Sequence, residues 1–372
     1  MSDPSFTLEP MDFTDLPGWQ ADDPRPLLPA MADCLTYLET GKPYRPGGLG
    51  LTADDLRPLL TKASNFAAAD AQAMRRFFEV ECKPFRINRT DGQAGFVTAF
   101  YEPEIDVADQ KDAVFKYPFY RRPDDLIDVN DANRPADMDP SYAFGLQDQY
   151  GIGLYPDRKA IDQGALEGRG LEIAWAKSIV DVFFVHVQGA ARLRYTDGRL
   201  GRITYAAKAG HAFSGIGKLL LDRGEIPLEA MSMQSIRAWL ADHPDQVNEV
   251  LWHNPSYIFF KEAQVEDRTR GPIAAAKVPL VAGRSLAVDR LIHTFGFPFF
   301  IHAKTLTRLD GGKPFSRLML ALDTGSAIVG PARGDIFTGS GDDAGDLAGA
   351  VRNDADFYIL IPKQAAARFI SS

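Results

Sequence analysis

Residues 318–363 read LMLALDTGSAIVGPARGDIFTGSGDDAGDLAGAVRNDADFYILIPK, and no other stretch restricts the chain so tightly. Two aspartates, Asp323 and Asp335, stand at the ends of short apolar runs with glycine-rich segments around them. Apolar strands hold a side chain rigidly, and glycines let a polymer lie close to the backbone. A carboxylate held that way suits acid catalysis, because partial removal from water lets an aspartate keep its proton and deliver it. Asp-Thr-Gly and Gly-Asp are also ordinary turn chemistry. Residues 339–345, GSGDDAG, lack the Lys-Ser/Thr ending of a phosphate loop and read as the wall of a groove.

Periodicity places these runs in a β-rich chain with a helical start. Residues 1 to about 30 are rich in Pro and Asp and read as an irregular arm. Helical patterns follow at 28–39, 51–62 and 66–81, the second with Thr52 and Asp55 spaced as a capping box. From Phe96 to Phe260 short strands dominate, and RLRYTDGRLGRITY reads as a hairpin with Asp197-Gly198 in its turn. Helices at 213–223 and 232–241 interrupt them, the first ended by Gly224 and the second capped by Ser232. Residues 278–362 return to short strands, the pattern of a small β-barrel.

Composition bounds the function. At 372 residues and 45% hydrophobic content the chain buries a substantial core, enough for two domains. A net charge of −9 argues against nucleic acid as a partner, since phosphate binding needs clustered Lys and Arg. No apolar run approaches the length of a membrane span. The N-terminus has neither the basic start nor the apolar core of a secretory signal, and Cys34 follows Asp33 with no apolar lead-in, unlike a lipidation site. Cys34 and Cys82 are either a disulfide or two buried thiols. The scattered histidines, with no HExxH and no CxxC, give no metal site, and no cofactor is expected.

Several segments, taken in order, resemble the membrane-bound lytic murein transglycosylase A (MltA) family with its C-terminal 3D domain. They are TAFYEPE (98–104), YPFYRRPDDL (117–126), FFVHVQGAARLRYTDG (183–198), YAAKAGHAFSGIGKLLLDRGEI (205–226), MSMQSIRAWL (231–240), NPSYIFFKE (254–262), GRSLAVDR with Asp289, and the 318–363 stretch. The resemblance implies a mainly β fold with N-terminal helices. Residues 1–102 would join a double-psi β-barrel formed by 262–372, and 103–261 would form a second, inserted β-rich domain. A groove between the two would hold the sugar strand. Four small departures, Ser326, Ala190, Ala209 and the Ala99-Phe100 pair, bear on substrate contacts.

The implied activity is non-hydrolytic cleavage of peptidoglycan strands, with periplasmic or outer-membrane location and cell-wall enzyme complexes as further partners. Asp335 matches the family's catalytic acid and Asp323 a second family aspartate. Asp289 reads as structural, and Asp342, Asp343 and Asp346 as solvated loop carboxylates. Tyr101 and Glu102 are candidates for sugar stacking and hydroxyl binding, or a packed hinge. Gln188 and Gly189, at the end of an apolar run read as a strand, are placed to bind an N-acetyl group, or to bond to backbone. Lys208, Gly210 and His211 precede a helix whose amides favour acidic or carbonyl oxygens, and His211 also reads as a cap or packing residue. Two alternatives remain: a dimeric aspartic-protease-like hydrolase built on the single DTG, and a non-catalytic glycan-binding envelope protein.

Overall fold

The computed structural model describes residues 5–265 and 267–370. Two compact units are present: one comprises the chain up to Tyr101, Asp267–Gly339 and from Asp343 onward, the other Glu102–Glu266 and Ser340–Asp342.

The first unit is built on a closed barrel of six strands. Around it run Arg352–Pro362, Pro298–Ala303, Phe315–Asp323, Ser285–Val288, Arg333–Ser340 and Gly95–Glu102, which pairs back with Arg352–Pro362. Ser285–Val288 and Phe315–Asp323 are parallel, an arrangement compatible with the double-psi topology. Closure removes free sheet edges. Most barrel strands carry apolar runs without alternation because both faces are covered. Phe299, Phe300, Leu318, Leu320 and Ile359 share one core with Met31, Leu35, Leu56 and Leu60 of the N-terminal helices.

The helical start follows the sequence closely. Helices span Leu28–Thr40, Ala53–Ser64 and Ala71–Glu81. Thr52 and Asp55 form the expected capping box, with the Asp55 carboxylate accepting from Thr52 N at 2.8 Å. The third helix starts later than 66 because Asp70 caps it, accepting from Ala73 N at 2.7 Å. The N-terminal arm is less irregular than expected. Phe6–Pro10 pairs antiparallel with Cys82–Arg89, which in turn pairs with Arg352–Pro362. Farther along the arm, Asp22 is buried in an ion pair with Arg284 at 2.8 Å. Cys34 and Cys82 are separate buried thiols.

The second unit holds a six-stranded sheet in the order Ile258–Ala263, Leu200–Lys208, Ala190–Tyr195, Glu104–Ala108, Glu172–Ala176, Tyr117–Tyr120, and a smaller three-stranded sheet. The Ala190–Tyr195 and Leu200–Lys208 hairpin turns through Gly198 at φ +86°, a left-handed conformation that glycine adopts freely. One expectation is corrected. The FFVHV run ending at Gln188 and Gly189 is a helix, Ile179–Gln188, not a strand. Ser178 caps it by accepting from Val180 N and Asp181 N, and Gly189 ends it at φ +77°. Val182 through His186 are all buried, so no polar face marks the helical period and the run is indistinguishable from a buried strand.

Candidate active site

Asp323 is the last residue of the Phe315–Asp323 strand, and Asp335 is the third residue of Arg333–Ser340. The short Ser285–Val288 strand lies between them, and its Ala287 is the register partner of both aspartates. The two therefore sit at one level of the barrel, two strand spacings or about 10 Å apart at the backbone. This alignment depends on an irregularity. The register shifts between Leu286 and Ala287, so that Leu286 faces Ala321 but Ala287 faces Asp323. Leu322, skipped by the shift, gives its carbonyl to Ala276 N at 2.9 Å instead. A bulge of this kind re-aims the side chain that follows it.

Both carboxyls are held above the ordinary aspartate range. Burial pushes Asp323 up to about 6, opposed by the amides of Thr324 and Ala275, reinforced by the charge of Asp335, and relieved a little by Lys277. Its Oδ1 accepts from Ala275 N at 3.1 Å. Burial also raises Asp335, while a hydrogen bond from Thr98 and the charge of Arg333 pull it down. One acid with donors aimed at it thus faces a second carboxyl across a single strand.

These shifts have a stability consequence with a definite sign. Asp323 binds its proton more tightly folded than unfolded. Its favourable contribution is complete below about pH 4 and is lost as pH rises through about 6. Asp323→Asn keeps the shape and removes the ionised form. The variant is expected to be more stable than the parent at pH 7, on the order of 1–3 kcal/mol, and nearly equal to it at pH 4. Urea melts at the two pH values read this directly. A gap of the same size at both would mean that the buried charge is not its source.

Asp289 makes contacts that fit a structural part. It is buried, with Oδ1 accepting from Leu291 N at 2.9 Å and Oδ2 from Gly330 N at 2.8 Å. It ties down the loop that runs from Asp323 toward Asp335. Tyr101 is also buried, with its ring so close to Gly345 that a Cβ there would come within 2.8 Å. Gly345 belongs to a short helix, Asp342–Ala348, which corrects the reading of GSGDDAG as a loop and places Asp342, Asp343 and Asp346 on that helix.

The other candidates lie in the second unit. Glu102 is fully buried, its carboxylate held by Arg202 at 2.6 Å, Arg192 at 3.0 Å and Ser340 at 2.7 Å. Its oxygens are held by protein donors, an arrangement that favours the packed-hinge reading of Glu102 over that of a hydroxyl ligand. Gln188 and Gly189 form a helix end rather than a strand end. Lys208 closes the Leu200–Lys208 strand. Gly210, at φ +97°, lies so near Phe144 O that a Cβ would meet it at 2.7 Å. His211 donates through Nε2 to Tyr155 O at 2.7 Å and packs edge-on to Tyr142. The following helix starts only at Ile216, so its amides are not adjacent to His211 as expected.

Sequence reasoning missed Thr98 and Arg333. The Arg333 guanidinium donates to Thr98 Oγ1 at 2.7 Å, and the Thr98 hydroxyl donates to Asp335 Oδ1. Arg333 stands two residues before Asp335, hence on the same face of its strand, and that spacing was the available signal. Thr98 is separated from Asp335 by 237 residues, and no local pattern reports such a pairing.

Comparison with known proteins decides the family. The MltA specific insert domain matches residues 96–261 and the 3D domain matches residues 284–361. The chain belongs to the MltA family. Membrane-bound lytic murein transglycosylase A of Escherichia coli K12 is 34% identical over 268 residues, which is 71% of this chain and 64% of that protein. The chain thus spans under two thirds of that relative's length. A membrane-bound lytic murein transglycosylase from Agrobacterium tumefaciens superposes with a TM-score of 0.94 at 64% identity, covering 98% of this chain and all of that one. E. coli MltA with bound chitohexaose has a TM-score of 0.67 at 27% identity, covering 97% and 93% of the two chains. MltA membership replaces the aspartic-protease reading of ALDTGSA. Among the described residues no helix is long and apolar enough to cross a membrane.

Proposed function

We propose that this protein is a peptidoglycan lytic transglycosylase that cleaves the β-1,4 bond between N-acetylmuramic acid and N-acetylglucosamine, with Asp335 as acid and then base. The observation that carries this reading is the placement of Asp335 and Asp323 on either side of Ala287 at one level of the barrel, both with raised proton affinity. The names of its relatives, and the oligosaccharide bound to E. coli MltA, support the substrate class.

In the reaction the Asp335 carboxyl gives its proton to the glycosidic oxygen as the bond to C1 breaks. Positive charge grows at C1, and the sugar's own C6 hydroxyl attacks there. The Asp335 carboxylate takes the C6 proton, so the net change is one C–O bond exchanged for another and a 1,6-anhydro ring formed. Attack from within the same sugar has a very high effective concentration, and no activated water is needed. Most glycosidases require a second carboxylate as nucleophile or base. Asp323 has a different part: when ionised, its negative charge stabilises the developing cation.

Mass spectrometry of peptidoglycan digested by the purified protein tests the proposal. Products ending in 1,6-anhydro-N-acetylmuramic acid are expected. Reducing N-acetylmuramic acid as the main end would mean hydrolysis and would overturn the one-carboxylate mechanism. The relatives' membrane-bound names support a periplasmic or outer-membrane location, next to the polymer. Fractionation that recovers the protein in the cytosol alone would sink that part.

A further inference from the structure

We infer that Arg333 and Thr98 form a directed hydrogen-bond chain that fixes which oxygen of Asp335 carries the transferable proton, making both of them positioning residues for the acid. The inference deepens the reaction proposed above and rests on it only for its catalytic consequence.

The direction follows from donor and acceptor inventory. A guanidinium has donors and no acceptor, so the 2.7 Å contact between Arg333 and Thr98 Oγ1 is a donation by Arg333. Thr98 Oγ1 accepts there and has one hydrogen of its own. The Asp335 Oδ1 contact is where that hydrogen goes. Asp335 Oδ1 is the one acceptor among the described contacts of Thr98 Oγ1, so a hydrogen turned away from it would be unpaired, and Oδ1 accepts in either protonation state. Neutral Asp335 then carries its proton on Oδ2. Arg333 thereby removes the freedom of an ordinary hydroxyl rotor to turn either way.

Two effects on the acid result. The proton is presented from one oxygen in one orientation, which favours transfer to a fixed glycosidic oxygen. The carboxylate left behind is stabilised by a donor already in place, which strengthens an acid that burial would otherwise weaken. The charged and titratable groups facing Asp335 are few. Arg333 lies on its own strand and Asp323 on the Phe315–Asp323 strand, with Lys277 acting on Asp323. The intervening strand contributes the apolar Ala287. Thr98 lies on Gly95–Glu102, beside Arg333–Ser340 in the barrel.

The test is a carbon-detected NMR titration of aspartate carboxyls in the full chain, with Asp335→Asn assigning the signal. Thr98→Val removes the donor and is expected to raise the Asp335 pKa by about one unit, whereas Thr98→Ser keeps it near the parent value. Arg333→Met frees the hydroxyl rotor and also removes a charge that lowers Asp335, so an upward shift is expected, and the Arg333→Met shift obtained again in a Thr98→Val background measures the charge alone. The alkaline limb of kcat should move with each measured pKa while KM changes little. An Asp335 titration unmoved by both Thr98→Val and Arg333→Met overturns the inference. Should Thr98→Val fail to fold, Arg333→Met against Thr98→Ser carries the same decision. NMR needs no turnover, so absence of anhydro products from the parent protein would defeat the proposed function and leave this result standing.

Discussion

Asp335→Asn is expected to reduce anhydro-product formation by at least about a thousandfold while leaving oligosaccharide affinity within about threefold of the parent. The amide keeps the volume of the carboxyl, and its oxygen still accepts the Thr98 hydroxyl, so the chain from Arg333 stays intact. What disappears is the proton that must reach the glycosidic oxygen and the base that must collect the C6 proton. One substitution therefore removes both halves of the cycle. Asp323→Asn should retain measurable turnover with a displaced pH profile, because it removes only the neighbouring charge. The contrast is the informative result. Equal and complete loss in both variants would indicate that the two carboxyls share one catalytic proton, and the single-acid assignment would fall.

The two aspartates were legible in the sequence because their surroundings are local. Apolar runs, glycines and the Asp-Thr-Gly turn all lie within a few residues of Asp323 and Asp335. The capping box at Thr52 and the hairpin turn at Gly198 were legible for the same reason. The bulge at Leu322 was not, since it is a property of how Ser285–Val288 and Phe315–Asp323 register against each other. Thr98 was hidden likewise by distance along the chain. The helix Ile179–Gln188 was misread because Val182 to His186 are buried in succession and the exposed Val187 is itself apolar, which erases the amphipathic period. The surroundings of Glu102 were hidden too. A carboxylate where a strand breaks at Pro103 is a fair sugar ligand until two arginines, 90 and 100 residues away, are brought onto it.

Those arginines set up the second large effect. Arg192 and Arg202 are direct register partners across the hairpin, and both side chains are buried. Two like charges placed opposite each other repel, and in a buried setting water cannot screen them. Glu102 sits between them and neutralises the pair, with Ser340 completing its hydrogen bonds. Removing the central anion leaves Arg202 opposite Arg192, which keeps only its contact with the part-exposed Glu104 at 3.2 Å to offset the repulsion, whereas replacing the whole cluster with apolar side chains removes the conflict. Glu102→Ala is accordingly expected to cost about 3–5 kcal/mol. A triple replacement of Glu102, Arg192 and Arg202 by Met, Met and Leu should recover most of that loss. Thermal melts of the parent, Glu102→Ala and the triple variant give the comparison, and oligosaccharide affinity measured well below each melting point gives the control. A carboxylate that serves the fold leaves that affinity unchanged in the variants that remain folded. If Glu102→Gln instead melts like the parent but binds the glycan tenfold more weakly, the carboxylate reads sugar hydroxyls and its burial among arginines only orients it.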